Sequence, residues 1–152
     1  MAQTTSAVVM GPAAWVGFST NGTTYADVSG IANAIDVSGG DLEQAETFTA
    51  GTTSAIITLG NFEPYDVTVN SVYSETTGDF WLTLQAAYQA KTALKVAWAP
   101  KGNSTGNYHY VTGTGYITSF KWPSGEMSGA DPIITEFTVR AATITANTTY
   151  LA

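Results

Sequence analysis

The stretch Tyr65-Asp66-Val67-Thr68-Val69-Asn70-Ser71-Val72-Tyr73 alternates between apolar and polar side chains. Successive side chains of a β-strand point to opposite faces, so a strand here would have one apolar face and one polar face. The apolar set is Tyr65, Val67, Val69 and Tyr73, and the polar set is Asp66, Thr68 and Asn70. This pattern is typical of an antiparallel strand that is buried on one face only.

Further strand signals lie on both sides of this stretch. The alternation recurs from Ile133 to Thr145 and, more weakly, from Tyr108 to Trp122. Shorter runs rich in β-branched residues occupy Thr53–Leu59 and Leu94–Ala99. Turn-forming pairs such as Asn21-Gly22, Gly60-Asn61 and Asp131-Pro132 separate these runs. The sequence therefore predicts a mainly β protein.

One segment has the period of a helix instead. Its apolar residues are Phe80, Leu84, Ala87 and Tyr88. Asp79 precedes them as a candidate N-cap, and Lys91 follows near the negative end of the helix. We predict one amphipathic α-helix over about 79–90. Because its apolar face needs a partner, the predicted fold is an antiparallel β-sandwich or curved sheet with one α-helix.

The length of 152 residues fits one domain spanning 1–152. Residues 1–14 and 146–152 are small and uncharged, which predicts an N-terminal and a C-terminal arm. Residues 40–61 form a long connection between two strand regions and carry the acids Asp41, Glu43 and Glu46. Long connections inside a compact domain are usually functional.

The charge is unevenly distributed along the chain. The net charge is −7, which argues against nucleic-acid or anionic-membrane binding driven by basic residues. Residues 1–90 contain nine acidic and no basic residues, whereas residues 91–152 hold all five basic residues and three acidic ones. If these halves form different faces, copies of the molecule could associate head to tail.

Catalytic and metal-binding signatures are scarce. The chain has no cysteine and only one histidine, His109, which excludes thiol chemistry, iron–sulfur sites and histidine-based metal clusters. Phosphate-binding loops, nucleophile elbows and His-Glu-x-x-His motifs are absent from the sequence. Two carboxylate pairs are candidates for a glycosidase reaction: Asp27 with Asp36, and Glu43 with Glu46. A calcium site is a further hypothesis, with Asp27, Asp36 and Asp41 as its candidate ligands. We predict no enzyme, no cofactor and no metal.

Aromatic residues leave a different class of function open. Exposed tryptophans in threonine-rich β modules often bind glycans by stacking, and core packing explains such residues equally well. The candidates are Trp15, Trp81, Trp98, Trp122, Tyr108, Tyr110 and Tyr116. A glycan-binding β-sandwich module is therefore an alternative.

An ordered set of short motifs resembles a known family. Asp-Val-Ser-Gly occurs twice, at 27–30 and 36–39, and is followed by the strand at 65–73 and the predicted helix. The sequences Val96-Ala97-Trp98-Ala99-Pro100-Lys101-Gly102 and Gly113-Thr114-Gly115-Tyr116-Ile117-Thr118 come next, with a closing strand around Phe137. Over roughly residues 24–145 this set resembles the tail tube (major tail) proteins of long-tailed, siphovirus-type bacteriophages.

The resemblance implies a virion tail protein that assembles in the bacterial cytoplasm. It implies a β-sandwich subunit that forms six-membered rings, and rings that stack into a tube through which DNA passes without specific binding. Its implied partners are further copies of itself and the tape measure, tail terminator and distal tail proteins. A tail terminator, a head decoration protein and a domesticated tail-like particle are further alternatives.

The resemblance also places candidate contact residues. Loop and arm segments bridge neighbouring subunits and rings in the family, and 40–61, 1–14 and 146–152 occupy the corresponding places here. The predicted subunit or ring contacts are Asp41, Glu43, Glu46 and Phe48. Asp36, Asp66 and Glu136 are candidates for acidic positions on the lumen or an interface. An acidic inner wall would avoid trapping the phosphates of passing DNA.

Overall fold

The computed structural model describes residues 10–51, 53–76, 80–127, 129–149 and 151. These residues form β1 (Trp15–Ser19), β2 (Ala26–Asp27), β3 (Ala32–Gly39), β4 (Leu42–Thr47), β5 (Ile56–Phe62), β6 (Tyr65–Val72), α1 (Trp81–Ala90), β7 (Lys95–Ala99), β8 (His109–Thr112), β9 (Gly115–Lys121), β10 (Ile134–Ala141) and β11 (Ile144–Asn147). The predicted class, mainly antiparallel β with one helix, is confirmed.

Two antiparallel sheets enclose the core. The five-stranded sheet has the order β11-β8-β7-β1-β2, and the four-stranded sheet has the order β3-β6-β10-β9. The connections from Thr112 to Gly115 and from Ala141 to Ile144 carry the chain from one sheet to the other. The two sheets therefore share one end, which we call the shared end.

The four-stranded sheet has the alternation that the sequence predicts. In β6 the side chains of Val67, Val69 and Ser71 are buried, whereas those between them are half-buried. In β10 Thr135, Phe137 and Val139 are buried in the same way. Each pair of aligned residues on β6 and β10, such as Val69 and Phe137, points to the same side of the sheet.

The core joins both sheets to the helix. Phe18 of β1 contacts Phe137 of β10 in an edge-to-face arrangement with 5.0 Å between ring centroids. Trp81, Leu84 and Ala87 are the buried residues of α1. They belong to the same cluster as Phe18 and Phe137, so the helix closes one side of the core.

The helix begins close to the predicted position and ends at a residue with a left-handed backbone conformation. Asp79, the predicted N-cap, lies outside the described residues, and the flanking Phe80 makes no side-chain cap. At the other end Lys91 has φ 53° and ψ 39°, and its backbone N–H donates to the carbonyl of Tyr88. The left-handed turn at Lys91 terminates the helix.

Two predicted strand regions are each divided. The run from Ile133 to Thr145 contains β10 and the start of β11, which belong to different sheets. The run from Tyr108 to Trp122 contains β8 and β9, separated at Gly113 and Thr114. A Cβ on Gly113 would lie 2.5 Å from Oγ1 of Thr143, so a glycine permits the close approach of these two connections.

Residues 40–61, treated above as a long connection, contain β4 and most of β5. These two strands pair with each other as a hairpin and form a separate sheet. The C-terminal segment 146–152 begins within β11. Farther along, the side chain of Asn103 exchanges two hydrogen bonds with the backbone of Leu151, at 2.7 and 3.0 Å. The described part of this segment therefore packs on its own subunit.

The acidic and basic halves of the sequence do not form separate faces. Strands of the first half pair directly with strands of the second half in both sheets, as in β1 with β7 and β6 with β10. The condition under which the two halves could drive head-to-tail association, separate acidic and basic faces, is therefore not met. Acidic residues are separated from basic ones in the hairpin, which is described below.

None of the helices in the described ranges is long and apolar enough to cross a membrane.

Candidate self-assembly surfaces

The β4–β5 hairpin extends from the body of the molecule at the shared end of the sheets. It begins after Gly39, which aligns with Tyr65 at the ends of β3 and β6. All seven residues of β5 are exposed, as are all residues of β4 except Leu42. A hairpin with so little burial gains little from the core, so its sequence is free to serve contacts with other molecules.

One face of the hairpin carries large apolar side chains. Ile57 aligns with Glu46, and Leu59 aligns with Gln44, so these four side chains share a face. Ile57 is 58% exposed and Leu59 is 66% exposed. Phe48, which follows β4, and Phe62, which ends β5, are each 67% exposed. Large apolar side chains exposed together on one face are typical of a site of association.

The four predicted contact residues all lie on or beside this hairpin and all are exposed. Glu46 lies on the apolar face described above. Glu43 lies on the opposite face, where its side chain approaches the position that a Cβ on Gly60 would occupy. Asp41 precedes β4, and its carbonyl accepts a hydrogen bond from the backbone of Glu63. The segment 41–63 contains four acids and no basic residue, so the hairpin is a negatively charged projection.

The three predicted acidic positions Asp36, Asp66 and Glu136 lie together on the outer face of the four-stranded sheet. Thr68 is the reference point, because it aligns with Asp36 on one side and with Thr138 on the other. The hydroxyl groups of Thr68 and Thr138 are 2.9 Å apart on this face. Asp66 and Glu136 are two residues away from these threonines along their strands, and therefore share the face.

Basic residues occupy the same face and partly balance the charge of the three acids. Glu136 aligns with Lys121 of β9, and Arg140 aligns with Asp66 of β6. Arg140 and Asp66 form an ion pair with 3.6 Å between the guanidinium and carboxylate. Three acids and two bases leave a formal charge of −1 on this face of each subunit. The three candidate acids therefore share a face whose net charge is only slightly negative.

The four-stranded sheet ends in two strands that have room for further partners. In the described part of the chain its outer strands are β3 and β9. Edge strands present unpaired backbone N–H and carbonyl groups, which pair readily with a strand of another molecule.

The carboxylate pairs considered for catalysis have other positions. Asp27 accepts hydrogen bonds from the backbone and hydroxyl of Ser29, at 2.9 and 2.6 Å, and Asp36 lies on the sheet face. Glu43 and Glu46 lie on opposite faces of the hairpin. Within the described ranges, no three histidine, aspartate or glutamate residues are grouped as a metal site.

Two tyrosines have perturbed acidities, and both are stabilised in the neutral form. The Tyr73 hydroxyl donates a hydrogen bond of 3.0 Å to Glu75, and this bond raises the pKa of Tyr73. Burial raises the pKa of Tyr25. A phenol with a raised pKa contains less of the nucleophilic phenolate at neutral pH, so neither tyrosine is activated for catalysis.

Most of the aromatic residues proposed for glycan stacking are part of the protein interior. Trp15, Trp81 and Trp98 are buried, and Trp98 stacks on the half-buried Tyr110. The exposed members are Trp122, Tyr108 and Tyr116. Tyr116 lies on β9, Tyr108 precedes β8, and Trp122 follows β9. His109 is fully buried, and neither ring nitrogen has a hydrogen-bond partner in the described residues.

The apolar face of the hairpin is the feature that the sequence did not reveal. The run from Thr53 to Leu59 was recognised as β-rich, but its isoleucines and leucine were indistinguishable from core residues. The signal that could have found them is the acidic segment just before this run, because Glu46 of that segment aligns with Ile57 and a core strand would not align with a charge.

The comparisons with known proteins support the fold. No family model and no curated protein matches the sequence. A chain in the structure of the anti-feeding prophage tube-terminating cap matches with a TM-score of 0.66 and 12% identity, covering 97% of this chain and 96% of that one. A chain from the sheath–tube complex of an extracellular contractile injection system in the extended state has a TM-score of 0.64 and 14% identity, with 92% and 91% covered.

A third similar structure comes from a gene transfer agent particle. A chain in the virion of a native gene transfer agent matches with a TM-score of 0.64 and 11% identity, covering 90% of this chain and 97% of that one. The protein therefore has a fold shared with structural components of phage-like tails. The likeness extends to contractile injection systems and a gene transfer agent, and is not specific to siphovirus-type tails.

Proposed function

We propose that this protein is the structural subunit of a phage-type tail tube. It assembles with copies of itself into hexameric rings, and the rings stack into a conduit for the genome. The observation that carries this proposal is the exposed hairpin, which combines a large apolar face with four acids on a fold found in tail components.

The four-stranded sheet is the proposed wall of the channel. Pairing of β3 of one copy with β9 of the next would remove the exposed edges and close six copies of the sheet into one β-barrel. The outer face bearing Asp36, Asp66 and Glu136 then lines the lumen. Its slight negative charge and the pairing of Arg140 with Asp66 limit attraction to DNA phosphates, so the polymer passes without being held.

The particle that contains this tube is proposed to be a virion with a long non-contractile tail of the siphovirus type. Assembly takes place in the host cytoplasm, with a tape measure protein, a tail terminator and a distal tail protein as partners. A domesticated or contractile tail-like particle uses the same subunit geometry and would differ by the presence of a sheath around the tube.

A tail terminator is the second candidate function, because one similar structure is a tube-terminating cap. A terminator closes the tube, so it would form rings that do not stack. A head decoration protein would bind capsids, and a glycan-binding module would remain a monomer that binds oligosaccharides. Electron microscopy of the purified protein separates these candidates. Long tubes support the proposed function, and isolated rings support the terminator. The absence of both tubes and rings is the result expected of a head decoration protein or a glycan-binding module.

A charge-reversal variant tests the role of the hairpin. Glu43→Lys combined with Glu46→Lys should block tube growth and leave the monomer folded, because both side chains are exposed and lie outside the core. Glu126→Lys combined with Asp131→Lys is the matched control, since these exposed residues give the same change in net charge away from the hairpin. Normal tubes from the hairpin variant would contradict the proposed contact.

A further inference from the structure

An open apolar pocket lies at the end of the five-stranded sheet that is farthest from the hairpin. It has a volume of about 520 Å³ and is lined by Met10, Pro100, Tyr108 and Tyr110, with Lys101 among the lining residues. Tyr108 is 63% exposed although it lines this pocket. The pocket therefore offers apolar surface beside a positive charge.

The strand pairings place the pocket and the hairpin at opposite ends of the molecule. Ala99 aligns with Trp15, and His109 aligns with Asn147, at the end of the five-stranded sheet where the pocket lies. The other end of that sheet is the shared end, from which the hairpin projects. A hairpin in this position reaches the pocket of another copy and not its own.

The surface chemistry of the two features is complementary. On the hairpin, the exposed Phe48 and Ile57 accompany Glu46, which aligns with Ile57 on the same face. In the pocket, aromatic and proline surfaces accompany Lys101, which is exposed and has no ion-pair partner in the described chain. The hairpin thus has apolar groups beside an acid, and the pocket has apolar surface beside a base, so the two surfaces are complementary.

We propose that this pocket receives the hairpin of a second copy of the chain. Phe48 and Ile57 pack against Pro100 and the two tyrosines, and Glu46 pairs with Lys101. The two surfaces are different and lie at opposite ends, so the contact is heterologous and repeats without closing. This inference rests on the proposed function and specifies which surface receives the hairpin when subunits stack.

Cysteine cross-linking tests the contact directly, because the natural chain contains no cysteine. A chain carrying Ile57→Cys and Tyr108→Cys is treated with a short bis-maleimide and separated by denaturing electrophoresis. The expected result is a ladder of trimers and larger species, since each chain offers both halves of the contact. The control replaces Ile57→Cys with Leu82→Cys, on the exposed side of α1, where Leu82 is 68% exposed. This control should give at most dimers, linked through one cysteine of each chain, and no larger species.

Charge exchange in the same two-cysteine chain tests the ion pair. Glu46→Lys or Lys101→Glu alone should lower the yield of the ladder by about two- to fivefold, the effect expected of an exposed ion pair, and the two together should restore it. Circular dichroism verifies that each variant is folded.

The outcomes separate this inference from the proposed function. Tubes of the unmodified protein without a ladder from the two-cysteine chain would overturn the pocket contact and keep the tube. A ladder without tubes or rings would keep the contact and overturn the tube. A yield no higher than that of the Leu82 control, at any protein concentration, overturns the inference whether or not tubes form.

Discussion

Individual core side chains decide whether the two sheets hold together. Phe137 is 1% exposed and contacts Phe18 across the sandwich. Phe137→Ala should lower the free energy of unfolding by about 3–5 kcal/mol, because it removes apolar contacts and leaves a cavity. Urea denaturation measures the change. Thr118→Ala, an exposed position in neighbouring β9, is the control and should change stability by less than about 0.5 kcal/mol.

A buried histidine offers a second test at this scale. His109 is fully buried, and its two ring nitrogens lack hydrogen-bond partners in the described residues. His109→Leu should raise the free energy of unfolding by about 1 kcal/mol, because it replaces unpaired polar atoms with an apolar side chain of similar size. His109→Ala should lower it by leaving a cavity. A loss of stability in the leucine variant would indicate that the imidazole makes a hydrogen bond.

The sequence identifies which single residues are buried only where the pattern has one buried face. Val67 and Val69 of the predicted apolar face are buried, and their polar neighbours are what reveal that face in the sequence. Trp15, Val16, Phe18 and Ser19 of β1 are all buried, so no alternation reveals that strand. A strand that is buried on both faces has no alternation of apolar and polar residues, so its period does not distinguish it from other buried segments.

At the scale of elements, the direction of the hairpin depends on the glycines at its base, Gly39 and Gly40, which both have positive φ. Gly39 has φ 80°, and a Cβ there would lie 2.3 Å from the carbonyl oxygen of Pro64. Gly39→Ala should therefore lower the free energy of unfolding by more than about 1 kcal/mol. Gly51→Ala is the matched control: φ is 99°, but no atom lies within 4 Å of its Cβ, so only the backbone cost applies. Equal losses in thermal denaturation would contradict the predicted steric clash.

The hairpin as a whole is expected to be dispensable for folding and required for assembly. Replacing residues 41–63 by a short turn removes β4 and β5, which pair only with each other in the described sheets. The helix and both larger sheets should remain, with the circular dichroism of a folded β protein. Sedimentation should then detect monomers or single rings at concentrations where the complete chain forms longer assemblies. Tubes from the shortened chain would show that other surfaces stack the rings.

The elements themselves were predicted unequally, for physical reasons. The helix was found because its apolar residues have a helical period, and its buried residues Leu84 and Ala87 belong to that set. The segment 40–61 is predicted as a connection because it carries three acids and few large apolar residues, whereas it contains β4 and most of β5. The two copies of Asp-Val-Ser-Gly also differ: the second lies within β3, whereas the first begins at the end of β2. Tertiary pairing gives the same four residues two structures.

At the scale of the whole molecule, charge is distributed by topology and not by position in the chain. Pairing of β1 with β7 and of β6 with β10 mixes the acidic and basic halves in both sheets. The hairpin retains an unmixed negative charge because its strands pair only with each other. Stacking that uses this charge should weaken as salt screens exposed pairs, which light scattering across a salt series measures. The buried apolar part of the contact should persist at high salt.

The most direct test of the central claim is negative-stain electron microscopy of the purified protein, with light scattering across a concentration series. The tube account predicts rings of about 95 kDa, six times the 15.9 kDa chain, and hollow tubes formed by their stacking. Growth should depend on the hairpin. A protein that remains a monomer of about 16 kDa at every concentration and that binds oligosaccharides would contradict a self-assembling tube subunit.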